Sequence, residues 1–129
     1  MPRSGTPCTG QFATPAALVA GGETTVTVRG KGKGGRNQEL VLAAAAKING
    51  SDGIVVGSFA TDGIEGQTNA AGALADGTTV MRGLKLGMNP EQYLRNNDSY
   101  HYFSKLKDLV ITGPTGTNVN DITILAARR

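Results

Sequence analysis

Chemistry is concentrated in the tract Arg29-Gly30-Lys31-Gly32-Lys33-Gly34-Gly35-Arg36-Asn37-Gln38-Glu39, which sets the cations Lys31, Lys33 and Arg36 into flexible, glycine-rich backbone. Residues 24–29 (TTVTVR) alternate as a half-buried strand does, and residues 38–48 favour helix, so the tract is predicted to carry the chain from strand to helix. Such a turn offers backbone N–H groups at a helix start, where the aligned peptide dipoles favour phosphate or carboxylate. Arg36 adds a planar, permanently charged fork suited to gripping either anion at two points. Two known phosphate-binding patterns fit poorly. Gly30-x-Gly32-x-x-Gly35 has the spacing of a dinucleotide fingerprint, but only Asp52 stands near the place of its acid. Gly30-x-x-x-x-Gly35-Arg36-Asn37 puts Arg and Asn where a P-loop needs Lys and Ser or Thr. A solvated linker and a disordered RNA-binding tract share this composition and stand as alternatives.

The basicity is local. The 129 residues carry 13 Lys or Arg against 10 Asp or Glu, a net charge of +3, and much of the excess lies in residues 29–36 and at Arg128-Arg129. A nucleic-acid binder more often shows a broad basic face interleaved with aromatics, whereas the three Tyr and three Phe here fall outside the basic tract. This argues against nucleic acid as a partner. The length suits one domain. The single Cys8 makes no internal disulfide, no Cys/His cluster suggests zinc, and no apolar run is long enough for a membrane span. A cytoplasmic protein is the expectation from these three facts. His101, isolated between Tyr100 and Tyr102, reads as structural and not as a base.

The organisation follows from periodicity. Residues 1–14 have none and read as a loose leader before a domain over residues 15–129. Leu18-Val19-Ala20 is predicted as a strand, Gly21-Gly22 as a turn and residues 24–29 as the next strand. The helix over 38–48 and the continuous apolar run 54–60 complete a strand–helix–strand unit, which requires a parallel pair with a right-handed crossover. Residues 70–76 are ambiguous. Thr78 to Leu86 suits a helix facing inward with Val80, Met81 and Leu84. Asn89-Pro90-Glu91-Gln92 is a capped helix start, and Asp98 opens another helix with Tyr100, Phe103 and Leu106 as its core stripe. Residues 109–112 and 122–126 read as strands whose connection is too short for a crossover, hence an antiparallel pair. The expected fold class is α/β: a single three-layer-like domain with a mixed, mainly parallel β-sheet flanked by helices.

In such a sheet the loops leaving the carboxyl ends of the strands share a rim, where ligands bind. Three polar, glycine-bearing loops, residues 30–37, 61–69 and 113–121, belong there if the strand at 109 runs with the first two. They would join Lys31, Lys33 and Arg36 to Asp62, Glu65 and Asp121, carboxylates available for magnesium or a substrate hydroxyl. That mixture suits phosphoryl transfer, which asks for positioning and charge neutralisation more than covalent chemistry. No nucleophile beside a base is visible. Taken singly, Asp62-Gly63 and Glu65-Gly66 also suit plain turns, and Asp121 a cap or ion pair at a strand entrance.

Five blocks in order resemble the carboxyl-terminal MOFRL domain of glycerate 2-kinases. They are residues 15–28 around Gly21-Gly22-Glu23-Thr24-Thr25, the stretch from Gly30 to Glu39, Thr61-Asp62-Gly63-Ile64-Glu65-Gly66, Asn97-Asp98-Ser99-Tyr100, and Thr112-Gly113-Pro114-Thr115-Gly116-Thr117-Asn118-Val119-Asn120-Asp121. The resemblance runs from about Pro15 to the end. It implies a kinase that phosphorylates D-glycerate with ATP and magnesium, in a family some of whose members carry an older label as hydroxypyruvate reductases. It implies an active site in a cleft between a larger amino-terminal α/β domain and this one, with Arg36 acting directly at the reacting phosphate or substrate carboxylate. Phosphate and substrate contacts then fall to Lys31, Lys33, Gly34, Gly35, Asn37, Glu39, Thr115, Thr117 and Asn118, and metal contacts to Asp62 and Asp121. The larger domain has no counterpart in these 129 residues. The implied partners are therefore that domain or a second copy, and a glycerate-like molecule with a nucleotide. Binding without turnover is the expected behaviour of the chain alone; an independent anion- or nucleotide-binding module is the alternative.

Overall fold

The computed structural model describes residues 15–128, so the expected leader, Cys8 included, lies outside the described residues. The elements run β1 (Ala16–Gly22), α1 (Arg36–Lys47), β2 (Ile54–Ala60), β3 (Gly72–Asp76), α2 (Thr79–Lys85), α3 (Pro90–Arg95), α4 (Ser99–Leu106), β4 (Leu109–Val110) and β5 (Asp121–Ala127). The strands form one sheet in the order β1-β5-β2-β3-β4, and every neighbouring pair is antiparallel. This corrects the mainly parallel sheet expected from the sequence.

The difference begins at Gly21-Gly22. These residues extend β1 instead of turning it, and Gly22, at φ +151°, lets the chain leave the sheet in a geometry that side-chain-bearing residues rarely adopt. Residues 23–29 then join no strand, although their alternation suits one. β5, arriving from the far end of the chain, lies between β1 and β2, with Leu125 opposite Leu18 on one side and Val56 on the other. β1 and β2 thus point the same way but share no ladder. β4 and β5 make no hairpin either, since β4 sits at the opposite edge beside β3.

The alternation of antiparallel neighbours still sends β1, β2 and β4 in one direction. Their carboxyl ends, and the three glycine-bearing loops that follow, therefore do share a rim. Five hydrogen bonds stitch two of these loops together. Thr61 N and Oγ1 donate to Asn120 O at 3.1 and 2.7 Å, Val119 N to Thr61 Oγ1 at 2.8 Å, Thr115 N to Asp62 O at 3.2 Å and Thr115 Oγ1 to Thr61 O at 2.6 Å.

α1 lies across β2 and β3, and α2, α3 and α4 all pack on its side. Val41, Leu42 and Ala45 of α1 meet Val56, Ala73 and Ala75 of the sheet, and Met88, Tyr102, Phe103 and Leu106 close the core. Burial of each large side chain stabilises by about 1.5–3 kcal/mol. Tyr102, not Tyr100, joins Phe103 and Leu106 on the inner stripe of α4. In α2, Val80 turns inward with Thr79 and Gly83, whereas Met81 and Leu84 face solvent. Gly83 sets that rotation, because a side chain there would strike the Tyr102 ring and hydroxyl.

The described residues form two layers, not three. Among the described residues no helix covers the other face of the sheet, where register aligns Val19, Ile124, Gly57 and Leu74 in one row. Val19 and Leu74 in that row are 69% and 45% exposed.

Candidate functional site on the loop rim

The glycine-rich tract is clamped by the corner between α3 and α4. Asn97 Oδ1 accepts from the N–H groups of Arg29 and Gly30 at 2.6 and 2.8 Å, while its Nδ2 donates to Thr27 O at 3.2 Å and Glu39 Oε2 at 2.8 Å. Asn96 accepts from Lys31 N through its side chain and from Gly32 N through its carbonyl, at 3.1 and 2.9 Å. Lys33 N donates to Asp98 Oδ1 at 3.0 Å, and Tyr100 N to Lys33 O at 2.8 Å. Five consecutive N–H groups, from Arg29 to Lys33, are consumed in this way. The glycines permit the approach: a side chain at Gly30 would strike the Asn96 backbone, one at Gly32 would strike Asp98, and one at Gly34 the Ser99 hydroxyl. The Lys31 and Lys33 side chains remain exposed, with Lys33 Nζ 5.1 Å from the centre of the Tyr100 ring.

The start of α1 already holds an anion. Gly35 precedes the helix without a side-chain cap, and Glu65, 4% exposed, reaches in from the loop after β2. Its Oε1 accepts from Asn37 N at 2.8 Å and Asn37 Nδ2 at 3.3 Å, and its Oε2 from Gln38 N at 2.9 Å. Gly35 makes room, since a side chain there would overlap the Glu65 carboxylate, and Gly66 lies as tightly against the Gly34 carbonyl. Burial pushes the Glu65 carboxyl above the usual range, outweighing the N–H donors that favour its charged form. The carboxylate expected from a ligand at this helix start is thus supplied by the protein. Asn37, 1% exposed, also accepts from Ser58 Oγ at 2.6 Å, which in turn lies 2.7 Å from Thr123 Oγ1. Gln38 donates to Thr68 Oγ1 at 3.2 Å. Asn37 and Glu39, both expected on a ligand, are engaged inside the fold, and Gly34 and Gly35 bring backbone against Ser99 and Glu65.

Arg36 faces the rim. Its Nε and Nη2 bond both oxygens of Asp121, with Nη2 to Oδ1 at 2.9 Å, and its Nη1 lies 3.7 Å from Glu23 Oε2. Asp121 is buried at the start of β5, while the Arg36 side chain is 31% exposed. The hydrogen bond to Asp121 raises the Arg36 pKa most; the charges of Asp121, Glu23 and Glu65 add to it against the opposing effect of burial. Asp62 Oδ1 accepts from Ile64 N at 3.1 Å. Asp62, Thr117 and Asn118 line a shallow depression of about 390 Å³ with Ile64, Pro114 and Gly116, and Thr115 is spent on stitching the loops. A larger cavity of about 690 Å³ lies at the opposite end of the sheet, between Ala17, Asp52, Asp76 and Arg128. Its charged groups are satisfied locally, Asp52 by Arg128 and Asp76 by Thr78, so the rim, which carries Lys31, Lys33 and Arg36, is the stronger candidate. Among the described residues no three His, Cys, Asp or Glu side chains gather as a metal cage, and no helix is long and apolar enough to cross a membrane.

Glu65, read from sequence as a carboxylate for magnesium or a substrate hydroxyl, is instead the internal anion of the α1 start. A signal for that role existed, because Gly34-Gly35-Arg36 lacks a capping side chain and a buried helix start needs an acceptor from elsewhere. Glu23 and Asn97 escaped the choice of site residues made from sequence, since both depend on contacts between distant segments.

The contacts just described join the Gly21-Gly22-Glu23, Gly35-Arg36-Asn37, Thr61-Asp62-Gly63 and Asn120-Asp121 blocks into one rim, and the MOFRL family profile matches residues 16–121. The chain belongs to the MOFRL family. This MOFRL domain is 54% identical over 110 residues to a D-glycerate 2-kinase of Thermotoga maritima, a match covering 85% of the chain and 26% of that protein. It is 49% identical over 114 residues to a glycerate 2-kinase of Pyrococcus horikoshii, covering 88% of the chain and 26% of the relative. A crystal structure of a Thermotoga maritima glycerate kinase superposes with a TM-score of 0.89 at 51% identity, over 91% of this chain and 28% of that one. The chain thus spans about a quarter of the length of the curated relatives it matches.

Proposed function

We propose that this MOFRL domain is the carboxyl-terminal part of an ATP-dependent glycerate 2-kinase and supplies one wall of a cleft whose other wall is a larger amino-terminal domain. The observation that carries the reading is Arg36, fixed by the buried Asp121 on one edge and turned toward solvent on the other, with Lys31 and Lys33 exposed on the same loop. Glycerate brings a carboxylate and the nucleotide a polyphosphate. The outward N–H groups of Arg36 suit either, and the two lysines neutralise phosphate charge, which is the main demand of phosphoryl transfer. Thr117 and Asn118 offer hydrogen bonds to ligand hydroxyls from the neighbouring loop.

Asp121 does not suit magnesium, since Arg36 takes both its oxygens, and its role becomes that of a positioning partner. Asp62 suits it better: among the described residues only Oδ1 is engaged, and one carboxylate is enough for an ion held mainly by nucleotide phosphates. When bound, that ion supplies charge neutralisation. The rim alone is open and cannot exclude water or hold both substrates in line, so this domain by itself binds without turnover. A coupled assay for ADP with ATP, magnesium and D-glycerate tests this. No glycerate-dependent signal is expected from the pure chain; turnover that disappears in Arg36→Ala would instead make the domain an enzyme in its own right.

A further inference from the structure

Glu23 stands where a ligand anion needs to be. Asp121 occupies the Nε and Nη2 edge of the Arg36 guanidinium, and Glu23 Oε2 lies 3.7 Å from Nη1, on the edge left for a ligand. The two carboxylates are held very differently. Asp121 is 5% exposed and bonded at two points, whereas the Glu23 side chain is 56% exposed, beyond hydrogen-bond length, and rooted in a segment that joins no strand. Gly22 before it, at φ +151°, turns the chain off the sheet and brings Glu23 over the rim.

We propose that Glu23 is a displaceable gate on Arg36, holding the outward end of the fork while the rim is empty and yielding it to a carboxylate or phosphate. This rests on the reading of Arg36 as an anion-binding residue. Exchange of one single-point carboxylate for another on an exposed guanidinium gains little. A phosphate, or a carboxylate anchored by neighbouring hydroxyl contacts, gains more, so the gate suppresses binding of small monoanions and favours the anchored substrate. An exposed ion pair of this kind is weak, and its removal should tighten anion binding by about threefold to fivefold.

Inorganic phosphate and D-glycerate are titrated into the full chain, into Glu23→Gln and into Glu91→Gln, with amide and arginine side-chain resonances as the readout. Glu91→Gln removes the same charge from an exposed side chain on α3 that takes no part in the site. The gate predicts tighter binding in Glu23→Gln, an unchanged affinity within about twofold in Glu91→Gln, and an Arg36 resonance in ligand-free Glu23→Gln already shifted from that of the parent. Equal affinities for the parent and Glu23→Gln overturn the gate and leave the rim reading intact. An equal gain in Glu91→Gln reduces Glu23 to a net-charge effect, and weaker binding in Glu23→Gln makes it a ligand contact; either result also overturns the gate. Binding by none of the three removes the anion-binding reading itself and the gate with it.

Discussion

Arg36 couples the site to the fold, because the same guanidinium that faces the rim neutralises Asp121 at the root of β5. Loss of one half of a fully buried pair costs about 3–5 kcal/mol, and the partial exposure of Arg36 lowers this to about 1–3 kcal/mol for Arg36→Ala. Urea unfolding measures that loss, and adding Asp121→Asn should recover part of it without restoring any phosphate response. Arg36→Lys keeps the charge but not the fork, so phosphate-induced shifts over residues 30–39 should return only in part. Glu65 allows a pH test. Its folded carboxyl is raised above the unfolded value, so its favourable contribution is complete below the ordinary glutamate pKa of about 4.3 and is lost as pH rises through the folded value. Glu65→Gln sacrifices an acceptor at the α1 start and should destabilise by about 1–3 kcal/mol. The gap between parent and variant should be widest in acid and narrow toward neutral pH. A gap that grows as pH rises would show that the N–H donors outweigh burial.

The element that most shapes the rim is the Asn96-Asn97-Asp98 corner, which turns a flexible tract into a fixed one. Asn97→Ala leaves the N–H groups of Arg29 and Gly30 and the Glu39 carboxylate without their partner. Hydrogen exchange of residues 29–33 should accelerate markedly, while residues in α1 and β2 change little. Slow exchange in the variant would mean that the tract is held by something else. This corner also marks what periodicity can and cannot reveal. α1, β2 and the Asn89 cap, whose Oδ1 accepts from Glu91 N at 2.9 Å, all follow from local pattern and capping chemistry. The alternation of residues 24–29 is equally clear but serves no sheet, because the Asn97 side chain, 68 and 70 positions away, accepts from Arg29 N and donates to Thr27 O. Insertion of β5 between β1 and β2 is likewise a long-range choice without a local signal. The three loops meet all the same, though not through the parallel pair of residues 24–29 and 54–60 expected from sequence: β1, β2 and β4 share a direction even though none of them pair with one another. At the site, the types of residue were legible and their partners were not: Arg36 read as a free anion receptor, yet it is anchored by Asp121, and the helix start read as empty, yet Glu65 fills it.

At the scale of the molecule, the sheet face that no helix covers among the described residues and the open rim both describe a domain with surfaces left for something else. A solitary copy in water should hide the Val19, Ile124 and Leu74 row by pairing with a second copy. Light scattering should report a mass that rises toward a dimer with concentration, and Leu74→Lys, outside the core, should return it to monomer without lowering the melting temperature. A monomer at every concentration would count against self-pairing. The most direct test of the proposed function replaces the matched quarter of the Thermotoga maritima glycerate kinase with residues 15–129 of this chain and measures ADP formation with ATP, magnesium and D-glycerate. The account predicts a folded chimera that phosphorylates glycerate and loses at least about a hundredfold in kcat/KM, roughly the effect of removing one preorganised charge-stabilising donor, when Arg36 is changed to Ala. A folded chimera without activity, or one whose activity survives Arg36→Ala, would contradict it.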